Sequence, residues 1–196
     1  YDLSVQLYES AALVSYLNRD IGLMQKYLKI LFENVQRFDD RLNGYLVMIQ
    51  SLMSNNKHRD AVRKIIFILE ELGESISVDV TPKEVYIELM STKALFDAIT
   101  PADVIHGKRM ADMRIRWRLR FLQLLHSPLY VIEPHAIYVT ACRILKLSAE
   151  HGFCSDSAIA LQVYGHGILN IQNDVEGCLR WAHAAFCLVK SLGAKH

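Results

Sequence analysis

Residues 113–121 read MRIRWRLRF, and the reading given to that stretch decides the fold class. Apolar and arginine residues alternate strictly, which by itself is the period of a half-buried strand. At helical period the same region reads differently. Met110, Met113, Trp117, Phe121 and Leu124 form one stripe, while Ile115, Leu119 and Leu122 form a second. Arg114 and Arg118 then run along one seam between the stripes, and Arg116 and Arg120 along the other. A helix packed between two neighbours has this pattern, its arginine stems lying over apolar surface and their heads reaching carboxylates.

The rest of the chain carries the helical period. Leu3, Leu7, Ala11, Val14 and Leu17 mark one stripe of a helix over about residues 2–17, expected to face the core. Leu23, Tyr27, Leu28, Leu31, Phe32 and Val35 mark a second helix. Leu42, Tyr45, Leu46, Ile49 and Met53 give a third over 39–54, and Ala61, Val62, Ile65, Ile66 and Leu69 a fourth over 58–72. Gly73 is placed to close that helix in the left-handed conformation. The stretch ESISVDV breaks the period and reads as a loop. Thr81, Pro82 and Glu84 then spell a capping box with proline in the first turn, opening a fifth helix that runs to about Asp97. Thr100, Pro101 and Asp103 repeat the signal. Further helices are expected over 107–126 and 135–151, set apart by Pro128 and Pro134, and a final pair over 156–171 and 175–192.

The breaks recur with a period. Asn18, Asn55 and Gln172 stand 37 and 117 residues apart, and the LG endings at Gly73 and Gly193 stand 120 apart. A period of about 37 to 40 residues with two helices in each is that of helix-hairpin arrays, because one hairpin cannot bury its apolar face alone. The expected architecture is therefore all-α: a tetratricopeptide-like α-solenoid, right-handed and superhelical, of about nine helices in antiparallel pairs. It is expected to form a single domain over 1–196, open to division into 1–73 and 82–196 at the loop 74–81.

Composition narrows the function. Charge is nearly balanced, 22 basic against 21 acidic residues, which argues against a global nucleic-acid or membrane-surface field. The apolar share of 52% is high, yet no apolar run reaches the roughly 20 residues of a membrane span. The four cysteines have no CxxC spacing and sit among apolar residues, which suits free thiols in a reducing, cytoplasmic setting. The chain opens at Tyr1 already within the apolar period, without a leader, as a fragment of a longer protein would.

Candidate chemistry is sparse. Residues 101–130 hold six basic residues against two acidic ones, so Arg114, Arg116, Trp117, Arg118 and Arg120 are the candidate partner-binding residues. They could meet an acidic or phosphorylated protein, or RNA with Trp117 as a stacking surface. His183 and Cys187 stand four apart, with His166 and Cys178 within reach of the same hairpin, but a metal site is disfavoured for want of a second paired motif. The glycines of YGHG, residues 164–167, read as close helix packing, since no phosphate-loop pattern accompanies them. GxSxG, HExxH and HRD are absent, and Asp39-Asp40 and Glu70-Glu71 read as solvated faces, so no catalytic, cofactor or metal residue is assigned.

Tyr8 with Ala11 and Ala12, YLNRD at the first turn, MIQSLMSNNKHRDA and LEELG together resemble the helical repeat region of large multi-domain signalling kinases. ADMRIRWRL, ILKLSAEHGFCSDSAIALQVYGHGIL and DVEGCLRWAHAAFCLVKSLGAK extend the likeness over most of the chain. In that family a serine/threonine-kinase-like domain and an AAA-type NTPase module precede the repeats, and GAF and histidine-kinase or cyclase-type domains often follow. The resemblance implies a non-enzymatic segment that couples such a protein to a partner or to its own output domains, through the concave groove formed by the first helices of successive pairs. None of the family's kinase or nucleotide-binding motifs falls in this chain. The alternative reading is an RNA-binding helical repeat using Arg114 to Arg120.

Overall fold

The structure, a computed structural model, describes residues 2–193. Tyr1 lies outside the described residues, and so do residues 194–196, where the last quoted motif ends. Among the described residues the chain forms α1 (Asp2–Leu17), α2 (Ile21–Asn34), α3 (Leu42–Ser54), α4 (His58–Glu71), α5 (Pro82–Phe96), α6 (Pro101–His106), α7 (Met113–Leu124), α8 (His126–Ile132), α9 (Ala136–His151), α10 (Ser155–Gln172) and α11 (Val175–Ser191). A 3-10 turn at Asp39–Arg41 precedes α3. The fold is all-α and repeat-like, and the alternating stretch MRIRWRLRF is helix.

The turns that recur in sequence recur in conformation. Arg19, Asn56 and Asn173 each adopt the left-handed region, with φ of 62°, 58° and 54°. One such residue ends a helix while the next helix starts within two residues. Asp20 and Asp174 accept from the Leu23 and Gly177 amides at 2.9 and 2.8 Å, satisfying donors that a helix start leaves open. Thr81 with Glu84 and Thr100 with Asp103 form reciprocal capping boxes.

Packing divides the chain into two compact units, Tyr1–Lys64 and Ile65–His196, the division falling within α4 and ahead of the loop at 74–81. In the first unit α1 packs on α2 and on α3. Ala12, Met24, Leu28, Leu31, Val35 and Val47 are buried together, with Val5, Tyr8, Tyr16 and Phe32 against them. This corrects the stripe expected on α1. Leu3 and Leu17 are 69% and 68% exposed, and Leu7 and Val14 are exposed as well. Two apolar stripes satisfy the helical period on α1, and the one holding Ala12 and the tyrosines wins because a small residue lets the helices approach while the rings fill the gaps. Ser15 is buried on that face with its hydroxyl donated to the Ala11 carbonyl at 2.7 Å, so no polar group is left open.

In the second unit α9 packs against α5, α7, α8 and α10, and α10 against α11. Phe96 of α5 meets Trp181 of α11 edge-on at 5.2 Å and Tyr164 of α10 at 5.8 Å, all three buried. The glycines of YGHG sit where helices close on each other. A Cβ on Gly165 would stand 3.2 Å from the Cys178 carbonyl oxygen, and one on Gly167 would stand 2.8 Å from Leu89.

Two boundaries differ from the sequence reading. The helix expected over 107–126 starts only at Met113, because Asp112 accepts from the Arg114 and Ile115 amides and caps it there. Residues 107–112 are not helical. They pair briefly with Phe153, whose amide donates to the Lys108 carbonyl at 3.0 Å, and Met110 is buried from this segment rather than from a helical stripe. Pro128, expected to separate helices, lies inside α8. It is the third residue there, where no backbone donor is required.

The end of α4 is closed by several bonds at once. Gly73, at φ 80°, donates to the Glu70 carbonyl, and Glu74 donates from its amide to Leu69 at 2.8 Å, the bond pattern that closes a helix on a left-handed glycine. The Glu74 carboxylate is buried and takes two bonds from Arg143 of α9, at 2.5 and 3.0 Å. Arg143 is part-exposed, but leaving the buried Glu74 carboxylate without its partner costs more than removing both groups. Arg143→Met is expected to destabilise by roughly 3 kcal/mol, and adding Glu74→Leu is expected to restore most of that in thermal unfolding. His126, the first residue of α8, gives a second expectation. Both ring nitrogens are buried with no hydrogen-bond partner among the described residues, and burial pushes its pKa from 6.5 down to about 4. The unfolded chain therefore takes up a proton that the folded chain refuses, so stability falls as pH drops from 6.5 towards 4, by roughly 3 kcal/mol in all. His126→Leu should flatten that part of a melting-temperature profile.

Candidate functional site

The arginines of α7 lie on a helix whose inner face, Ile115, Leu119, Phe121 and Leu122, is buried. Their heads do not form one surface. Arg118 donates from Nε to the Leu72 carbonyl at 2.8 Å, and Arg114 donates to the Glu71 carbonyl at 3.1 Å. Both therefore sit on the negative end of α4, where carbonyls lack helical partners and a cation is favoured. Arg120 pairs with Asp156 at 3.3 Å, and among the described residues Arg116 reaches only the Met113 sulfur, at 3.8 Å. Trp117 is half-buried and stacks on Phe121 at 5.9 Å. The heads of two arginines meet main-chain carbonyls where carboxylates were expected. Sequence patterns do not display carbonyls, so that target was not legible.

The histidines and thiols fall into separate places. His183 and Cys187 approach to 3.6 Å on α11. His166 instead lies 3.1 Å from the Tyr138 hydroxyl. Cys142 is buried, and that burial pushes its thiol up to about 12. Among the described residues no three of these side-chain types gather as metal ligands.

In the first unit a groove lies between α1 and α3. It encloses about 300 Å³ and is lined by Glu9, Ser10 and Leu13 of α1 and by Asn43, Leu46, Val47 and Gln50 of α3. Their spacing is helical on both walls: Glu9 and Leu13 are one turn apart, and Asn43, Leu46 and Gln50 continue along one stripe. Asn43 donates its amide to Glu9 at 3.3 Å. Partial burial holds the Glu9 carboxyl above its usual range, the Asn43 bond opposes this, and the negative charge of Asp40 adds to it. Two other depressions have hydroxyl, amide and carboxylate groups engaged within the fold. In the larger, of about 480 Å³ at the turns of α1 and α3, Ser54 and Asn55 both donate to the Ser51 carbonyl. In the other, of about 270 Å³ beside α6 and α9, Asp103 caps its own helix and Ser148 pairs with Ser157. The α1/α3 groove, with its amides and a half-buried carboxylate aligned between apolar walls, is the candidate site.

No protein-family model matches the chain, and neither does any curated protein or any solved structure. No helix among the described residues is long and apolar enough to cross a membrane.

The two kinds of arginine on α7 are separable by experiment. Arg118→Gln removes a charged donor from carbonyls at a helix end and should cost about 1 to 2 kcal/mol in thermal unfolding. Arg116→Gln, which leaves no such group unsatisfied, should cost less than about 0.5 kcal/mol.

Proposed function

We propose that the chain is a non-catalytic helical-repeat interaction segment that couples an NTPase- or kinase-type signalling protein of the cytoplasm to partners or to its output domains. The observation that carries this reading is the α1/α3 groove. It is open, carries a leucine on each wall, and has amides that meet no side-chain partner among the described residues beyond the single Asn43 to Glu9 bond. A surface of this kind suits an added segment of polypeptide. The resemblance of YLNRD, MIQSLMSNNKHRDA and LEELG to repeats between an NTPase switch and an output module supplies the signalling context.

The engagement of Arg114, Arg118 and Arg120 within the fold supports protein binding over the RNA-binding alternative. A phosphate track needs several free cations in line, and in this stretch Arg116 is the head without a main-chain or carboxylate partner among the described residues. Salt-dependent RNA retention on a filter, lost on Arg116→Glu, would restore that alternative.

A photo-crosslinking residue placed at Leu13 in the full gene product should give a defined protein adduct. One placed at Arg63, exposed on α4, should not. Equal labelling from both positions, or none from position 13, would contradict the groove reading. ATP turnover by the purified chain would contradict the non-catalytic one.

A further inference from the structure

We infer that the α1/α3 groove takes an extended polypeptide segment presenting a basic side chain between aliphatic ones, with Glu9 receiving the cation. The inference rests on the reading of this groove as the interaction site, and adds the chemistry of the occupant.

Three features of the groove carry it. Leu13, 40% exposed, together with the half-buried Leu46, offers apolar wall to aliphatic side chains. Asn43 and Gln50 stand seven residues apart on α3, two helical turns, which is about 11 Å. That distance spans roughly three residues of an extended chain, so the two amides can each reach a main-chain group of one segment. Between the walls stands Glu9, half-buried, its charge met by one amide and by no cation among the described residues. A carboxylate held in that state gains from a positive charge brought to it and repels a negative one, and Asp40 adds to the same field. An acidic or phosphorylated segment, the occupant that a basic α7 would have suggested, does not fit this groove.

The test uses the whole chain and two labelled peptides read by fluorescence anisotropy. One carries a single lysine between two leucines, and its counterpart carries glutamate in place of that lysine. The native chain should bind the lysine peptide and not the glutamate peptide. Glu9→Gln, which keeps the shape and the Asn43 contact while removing the charge, should weaken the lysine peptide about tenfold. Leu13→Asn should abolish its binding by spoiling the apolar wall while the melting temperature is unchanged. Equal binding of both peptides, lost in Leu13→Asn, would overturn the cation preference and leave the groove reading intact. Failure of the native chain to bind the lysine peptide would overturn the inference as well, with the groove itself then judged by the crosslink from position 13. An unchanged affinity in Glu9→Gln would assign the cation elsewhere and overturn it too.

Discussion

The carboxyl end of a helix is a place where four carbonyls have lost their partners and a partial negative charge collects, and the end of α4 is where the second unit answers that requirement most fully. Gly73 turns the chain in a conformation that a side chain resists, Glu74 closes the last turn from its amide, and three arginines converge: Arg114 and Arg118 from α7 on the carbonyls of Glu71 and Leu72, Arg143 from α9 on the Glu74 carboxylate. Those contacts fix α7 and α9 to the same point. Within this unit α9 is also the helix on which α5, α8 and α10 pack, so the geometry of the α4 end is passed on to most of its helices.

The same use of arginine recurs at other helix ends. Arg41 donates to the Val35 carbonyl behind α2, and Arg109 donates to Val104 and Ile105 at the end of α6 while also reaching Ser191 of α11. An all-helical chain with short connections has many open carbonyls and few turn residues with which to satisfy them. Long, permanently charged side chains with several donors meet that need from a distance. A stretch that reads as a basic patch can thus be a set of internal fasteners, and the charge available to an outside partner is smaller than the composition of residues 101–130 suggests. The groove between α1 and α3 shows the reverse: a region of ordinary composition that concentrates a single carboxylate between apolar walls.

Legibility in the sequence depended on the range of the forces involved. The turns at Arg19, Asn56 and Asn173, the capping boxes at Thr81 and Thr100, and the end at Gly73 were legible because each is decided within four or five residues. The helical nature of MRIRWRLRF was legible because two stripes fit it at helical period. The buried face of α1 was not, since Ala12 with Tyr8 and Tyr16 competes with Leu3, Leu7, Val14 and Leu17 on equal local terms, and only packing against α2 and α3 decides between them. The start of α7 was misplaced because the capping role of Asp112 is carried by one residue without a partner signal. The site was the least legible part. Glu9 and Asn43 lie 34 residues apart, and their meeting depends on the angle at which two hairpins pack.

Arg118 of α7 and Arg143 of α9 are tied to the end of α4, and their own Nε–H groups report this directly. Hydrogen exchange of the arginine Nε–H groups, followed by NMR at neutral pH, should show slow exchange for Arg118 and Arg143, which donate from Nε to Leu72 and Glu74, against fast exchange for Arg116. Equally fast exchange at all three would contradict this fastening of the α4 end, and with it the internal role of the basic stretch.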